Sequence, residues 1–177
     1  GITNTTNGTF DPSVPGAGSY TVYYSVTNSG CTGIDSTEID VYSTPDATIT
    51  NPGDFCTDDA AYNLSAASSG GTWSGTGITD ASNGTFDPSV AGSGTHTITY
   101  NVGVSGCTDS DQIDITVNQT PNVSITNPGD FCETDPAMDI TASPAGGTWS
   151  GTGITNTTNG TFDPSVPGAG SYTVYYS

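Results

Sequence analysis

The chain has 177 residues, with no Lys or Arg, 18 acidic residues and one His, for a net charge of −18. Nucleic acid is held by cations that displace counterions from phosphate, so this balance excludes that partner class and disfavours anionic membrane surfaces. No apolar run approaches the roughly 20 residues that cross a bilayer, and no basic segment followed by an apolar run marks an export signal within these residues.

The sequence is built on a 76-residue period. Gly1–Ser25 returns unchanged as Gly153–Ser177, and a related copy starts at Gly77. Cys31 answers to Cys107, and Cys56 to Cys132. ITNPGDFC starts at Ile49 and Ile125, and GGTWSGTGIT at Gly70 and Gly146. Fixed-period self-similarity marks an array of stacked units. Residues 1–43 read as the C-terminal part of one unit, 44–119 as a complete unit and 120–177 as the N-terminal part of the next, the pattern expected of a piece of something longer.

Along the complete unit, Thr44-Pro45 and Thr120-Pro121 punctuate the joints, because Pro restrains the chain and removes a donor. Asp46–Thr50 reads as a short strand, Asn51–Asp54 as a turn, and Tyr62–Ala67 as a second strand. Gly71–Ser74 forms a third, centred on Trp73. Gly75–Asn83 reads as loop, and Gly84–Phe86 as a brief strand stopped by Asp87-Pro88. Thr95–Val104 is the strongest strand: His96, Ile98, Tyr100, Val102 and Val104 share one face, with Thr, Asn and Gly opposite. The first copy keeps that parity, turning Tyr20, Val22, Tyr24 and Val26 inward. Ser105-Gly106 then turns the chain into Gln112–Val117. Several short strands with regular turn signals predict an all-β fold of tandem β-sandwich repeats set end to end. The predicted core is Trp73, Phe86, Ile98, Tyr100, Val102, Ile113 and Ile115. Domains of this size stand near the margin of stability and call for staples.

Four Cys without a C-x-x-C spacing point to disulfides in an oxidising, exported setting rather than to zinc. Three pairings of four thiols exist. The preferred one joins Cys56 to Cys107 within a unit and leaves Cys31 and Cys132 to pair outside these residues. It closes a loop of 52 residues, worth roughly 4 kcal/mol in the chain-entropy account. The alternative crosses the joints, Cys31 to Cys56 and Cys107 to Cys132.

Catalysis finds little support. His96 stands where the other copies have Tyr20 and Tyr172, and a base is not exchangeable with a phenol, so its polar tip is expected to reach backbone. Glycoside hydrolysis needs two acids facing across a cleft, and none is evident. No catalytic or cofactor-binding residue is therefore assigned. Asp54, Asp58, Asp59, Asp109 and Asp111 are weak calcium candidates, since hard cations want several oxygen ligands, but solvated loop carboxylates are the preferred reading. Trp73 and Trp149 supply a second reading, a repeated carbohydrate-binding module, if they are exposed.

GGTWSGTGIT, NGTFDPSV, GSGTHTITYNV followed by SGC, and the closing D-x-I-x-I-T-V resemble the tandem immunoglobulin-like or PKD-like repeats of very large Bacteroidota cell-surface adhesins. Gliding-motility adhesins of the SprB type, exported by type IX secretion, are the nearest functional comparison. The resemblance implies an extracellular, outer-membrane-associated filament whose partners are neighbouring repeats. End domains would engage surface polysaccharide or other substrata. It carries over no catalytic residues; His96 in place of Tyr is its one mild departure.

Overall fold

A computed structural model describes residues 1–177. The chain is mostly β, with 46% strand and 2% helix in several small sheets. It divides into two compact units, Gly1–Gln119 and Thr120–Ser177.

The first unit opens with β1 (Ile2–Asn4) and β2 (Thr9–Phe10), which pair with each other, then the long hairpin of β3 (Gly18–Asn28) and β4 (Cys31–Val41). There follow β5 (Phe55–Cys56), β6 (Tyr62–Asn63), β7 (Thr72–Ser74), β8 (Ile78–Asp80), β9 (Thr85–Phe86), the short helix α1 (Pro88–Ala91), β10 (Gly94–Val104) and β11 (Cys107–Asn118). One sheet has the order β5-β11-β10-β7, another β6-β9-β8. β10 and β11 pair in register from Gly94↔Val117 to Val104↔Cys107. Their turn is tight because Ser105 and Gly106 both take positive φ, 48° and 90°, as two-residue hairpin loops demand.

Alternation along β10 buries Ile98, Tyr100 and Val102, and along β11 it buries Ile115 and Val117. Phe86, Trp73, Leu64, Ile49 and Ala47 complete this core, with Ile113 half-buried against it. Trp73 lies over Tyr100 with ring centroids 4.4 Å apart, a separation at which aromatic pairs add about 1 kcal/mol beyond area burial. The Tyr100 hydroxyl donates to the Ser68 carbonyl (2.7 Å) and accepts from the Gly71 amide (2.8 Å). It thereby fixes the start of β7. Asp87 caps α1 by accepting from the Ser89 amide, with Pro88 in the first turn, where its missing N–H costs nothing.

Two expectations need correction. Gly75–Asn83 is not all loop, because β8 forms within it and pairs with β9 across a bulge. Asp46–Thr50 is not a ladder strand, apart from an isolated bridge of Ile49 to Ala66. It bonds through backbone to 65–68, but on its other side carboxylates replace the ladder, as described below. The first hairpin also departs from expectation. Tyr24 is 72% exposed, whereas its counterpart Tyr100 is 2% exposed. Residues 1–43 hold counterparts of β8 and β9, namely β1 and β2, but none of β5–β7, so no indole equivalent to Trp73 lies over Tyr24.

The second unit repeats part of this plan. β12 (Ser124–Ile125) pairs with β14 (Ala142–Ser143), while β13 (Met138–Asp139) pairs with β17 (Thr161–Phe162). β16 (Ile154–Asn156) also pairs with β17, and β15 (Trp149–Gly151) pairs with β18 (Val174–Tyr176). Ile140, Trp149 and Phe162 form its core. Tyr176 stacks on Trp149 at 4.8 Å and bonds Gly147 and Pro144 as Tyr100 bonds Gly71 and Ser68. No helix of either unit is long and apolar enough to cross a membrane.

Candidate functional site

The richest polar geometry in the complete repeat lies along β11. Asp109 Oδ2 accepts the Ala47 amide and Asp111 Oδ2 accepts the Ile49 amide, each at 2.9 Å. Farther along, β5 joins β11 in a parallel pair, Phe55 opposite Val117 and Cys56 opposite Asn118, and the Thr57 amide donates to the Asn118 carbonyl at 2.9 Å. The segment from Ala47 to Thr57 therefore runs alongside β11, in the same direction, from Asp109 to Asn118. At about 3.3 Å per residue the span is roughly 30 Å. Chain enters this repeat at one end of that line and leaves at the other.

The carboxylates are thus structural rungs. Asp111 is half-buried, and Ala47 and Ile49 are buried, so the amides depend on these acceptors. Asp111→Ala is expected to cost about 1–3 kcal/mol, the penalty of stranding a buried donor. Asp111→Asn, which keeps an acceptor oxygen, is expected to cost clearly less. Urea unfolding of the two variants measures the difference, and a negligible loss for Asp111→Ala would show that the rung is replaceable by water.

The five calcium candidates are not brought together. Asp54, Asp58 and Asp59 flank β5, near the end of β11 that holds Val117 and Asn118, far along the strand from Asp109 and Asp111. Asp59 Oδ2 accepts the Cys56 amide at 2.7 Å and closes a turn. No group of three or more His, Cys, Asp or Glu that could hold a metal forms. Other acids work in turns of their own. The Asp87 carboxyl lies below its ordinary range because the Ser89 hydroxyl donates to it, and the Thr48 hydroxyl does the same for Asp46. A depressed carboxyl stabilises the fold above its unfolded value and loses that contribution as pH falls through the folded one.

His96 Nε2 lies 2.9 Å from the Gly92 carbonyl, so Nε2 carries the proton of the neutral ring. Tyr20 and Tyr172 donate likewise to the carbonyls of Pro15 and Pro167, at 2.8 Å each. Tyr20 and His96 thereby tie β3 and β10 to the segments just before them, and Tyr172 makes the same short-range tie ahead of β18. Trp73 and Trp149 are 5% and 3% exposed, and neither offers a stacking face for a sugar. Two surface recesses in the first unit are shallow. One lies at the joint, lined by Tyr42, Ser43, Pro45, Ala67, Val102 and Val104, among others. The other lies beside the hairpin tip from Asn101 to Ser110. Neither places a nucleophile against a base.

All four thiols are free, and the expected Cys56–Cys107 bond is overturned by register. Cys107 begins β11, while Cys56 faces Asn118 at its other end. Eleven residues of strand separate them by about 36 Å, against a ceiling of about 7 Å between bridged Cα atoms. The joint-crossing pair Cys31–Cys56 is absent too. Cys31 stands opposite Asn28 at the tip of the first hairpin, the full length of β4 from the joint that follows Val41. Sequence reasoning missed the parallel course of the first and last segments, which no local pattern announces. No family model and no curated protein matches the chain.

Proposed function

We propose that the chain is a stalk segment of a very large exported cell-surface adhesin, its 76-residue units being immunoglobulin-like β-sandwiches that extend a filament and bear tension. Residues 1–43, 44–119 and 120–177 are then the end of one repeat, a whole repeat and the beginning of another. The observation that carries this reading is the parallel run of Ala47–Thr57 along β11. Pulling on the two ends of the repeat shears these segments lengthwise, and all their bonds must fail together. Had the terminal segments been antiparallel neighbours, the same pull would peel bonds singly. Resistance to pulling is set by the unfolding rate, so shared loading is what a tether requires.

The charge supports the same reading. Like charge throughout an array keeps it soluble and opposes side-by-side collapse. The motif resemblance to Bacteroidota surface repeats supplies the setting, outside the cell and in line with type IX export and gliding. The carbohydrate-binding alternative loses its main support, because both indoles are packed against tyrosines. Electron microscopy of a chain extended to several whole repeats is expected to show thin rods that lengthen by at least about 30 Å per added repeat. Compact particles that grow in all directions would refute the stalk reading.

A further inference from the structure

We infer that successive repeats are joined by a disulfide between the cysteine at the leaving end of one repeat (the Cys56 or Cys132 position) and the hairpin-tip cysteine of the next (the Cys31 or Cys107 position). The inference rests on the tandem-array reading above but uses only the joint between Val41 and Ala47, inside the first unit.

Two observations converge on one carbonyl. In the complete repeat, Cys56 lies opposite Asn118, and the next amide, Thr57, donates to the Asn118 carbonyl at 2.9 Å. One period earlier, Asn118 corresponds to Tyr42. The Tyr42 carbonyl is where the Cys107 thiol donates, with S···O 3.8 Å. A whole repeat ahead of the joint would therefore place its own leaving-end cysteine opposite Tyr42, one residue from an amide bonded to that oxygen. The Cys107 thiol already donates to the same oxygen. The leaving-end cysteine's Cα would lie about 5 Å from that oxygen and the Cys107 sulfur lies 3.8 Å from it, so the two side chains meet around one atom, the neighbourhood that a bond with Cα atoms about 4.4–6.8 Å apart requires. Cys107 is held there by the tight turn at Ser105-Gly106. A shallow recess lined in part by Tyr42, Ser43 and Pro45 lies at the same joint. The pairing also fits the four free thiols, since each one's partner belongs to a stretch of repeat that residues 1–177 do not contain.

The chemistry is a two-electron oxidation. Two thiols lose two protons and two electrons and form one S–S bond. A disulfide oxidant such as glutathione disulfide takes up both electrons and both protons and becomes two thiols.

The test extends the full chain by joining a copy of Thr120–Thr152 ahead of Gly1. Because Gly153–Ser177 equals Gly1–Ser25, the join regenerates the chain's own sequence and completes the first repeat. Cys132→Ser in the original position distinguishes the copies. After oxidation by glutathione disulfide, cleavage before Asp and mass spectrometry locate the bonds; trypsin has no site in this chain. The expected product has one disulfide, from the copied Cys132 to Cys107, with Cys31 and Cys56 as thiols. Cys107→Ser is expected to abolish it. A bond from the copied Cys132 to Cys31, a Cys56–Cys107 bond, or thiols throughout would overturn the inference. Fluorescence quenching separates the two readings. If the copied Trp149 is shielded but unbridged, the cross-link alone fails. If it stays exposed to quencher, the added segment has not folded and the array reading fails with it.

Discussion

Pulled from both ends under oxidising conditions, a chain of several whole repeats is expected to lengthen by only about 15 Å per repeat, and by roughly 230 Å per repeat after reduction. The second figure is the ordinary one. Seventy-six residues stretch to about 260 Å, less the roughly 30 Å the folded repeat already spans. The first follows from the topology of the cross-links. Each bond joins a leaving-end cysteine to the tip of the next repeat. The covalent path then runs from that tip to the leaving end of the repeat after it, the distance from Cys31 to Cys56, 25 residues. There it meets the next bond. One such stretch, about 90 Å when taut, serves two repeats whose folded span is about 60 Å. A disulfide inside each repeat would behave differently. It would leave 25 free residues for every repeat and permit about 60 Å of lengthening each. Single-molecule force extension with and without a thiol reductant distinguishes the three cases. Steps of roughly 230 Å in the oxidised array would eliminate the cross-link, and steps of about 60 Å would restore the bond within the repeat. Interleaved bonds of this kind would let every unit unfold without the tether growing appreciably, a property of value only to a chain that is pulled.

How much of this was legible in the sequence depends on the range of the contacts. The β10–β11 hairpin could be read from Ile98, Tyr100, Val102, Ile113 and Ile115, because alternation and a Ser-Gly turn are local signals. β8 was missed because Ile78–Asp80 is three residues long, follows Gly75 and Gly77, and pairs with β9 only across a bulge. Asp46–Thr50 carries strand-like alternation, yet Asp109 and Asp111 lie 62 residues away from the amides they bond. Nothing local marks these two among 16 aspartates. The cysteines failed for the same reason. Cys56 and Cys107 stand at the front and near the close of one repeat, and no local pattern argues against their meeting. The direction of Phe55–Cys56 along β11 decides otherwise, and strand direction is a property of the whole fold. Tyr24 does lie on the core-side parity of its strand, but parity gives the side of a strand and not whether anything covers it.

The glycine of the recurring NGTF motif carries the second large effect, because three copies separate backbone strain from packing. Gly84 has φ +68°, and a Cβ placed there would lie 2.7 Å from the Trp73 Nε1 atom. Gly160 repeats this against Trp149, with φ +73° and 2.6 Å. Gly8 has the same conformation, φ +70°, but nothing within 4 Å, since residues 1–43 contain no tryptophan. Left-handed backbone costs a non-glycine residue about 1–2 kcal/mol, and overfilling a packed core adds about 1–3 kcal/mol. Gly84→Ala is therefore expected to destabilise its repeat by about 2–5 kcal/mol, a large part of what a small domain has. Gly8→Ala is expected to cost about 1–2 kcal/mol, confined to β1 and β2. Amide hydrogen exchange, read on β6, β8 and β9 for the first variant and on β1 and β2 for the second, measures both. Equal losses would mean that the motif is kept for its turn alone. A much larger loss at Gly84 would assign its invariance between copies to the indole it lies against, and would make Trp73 the centre on which each repeat closes.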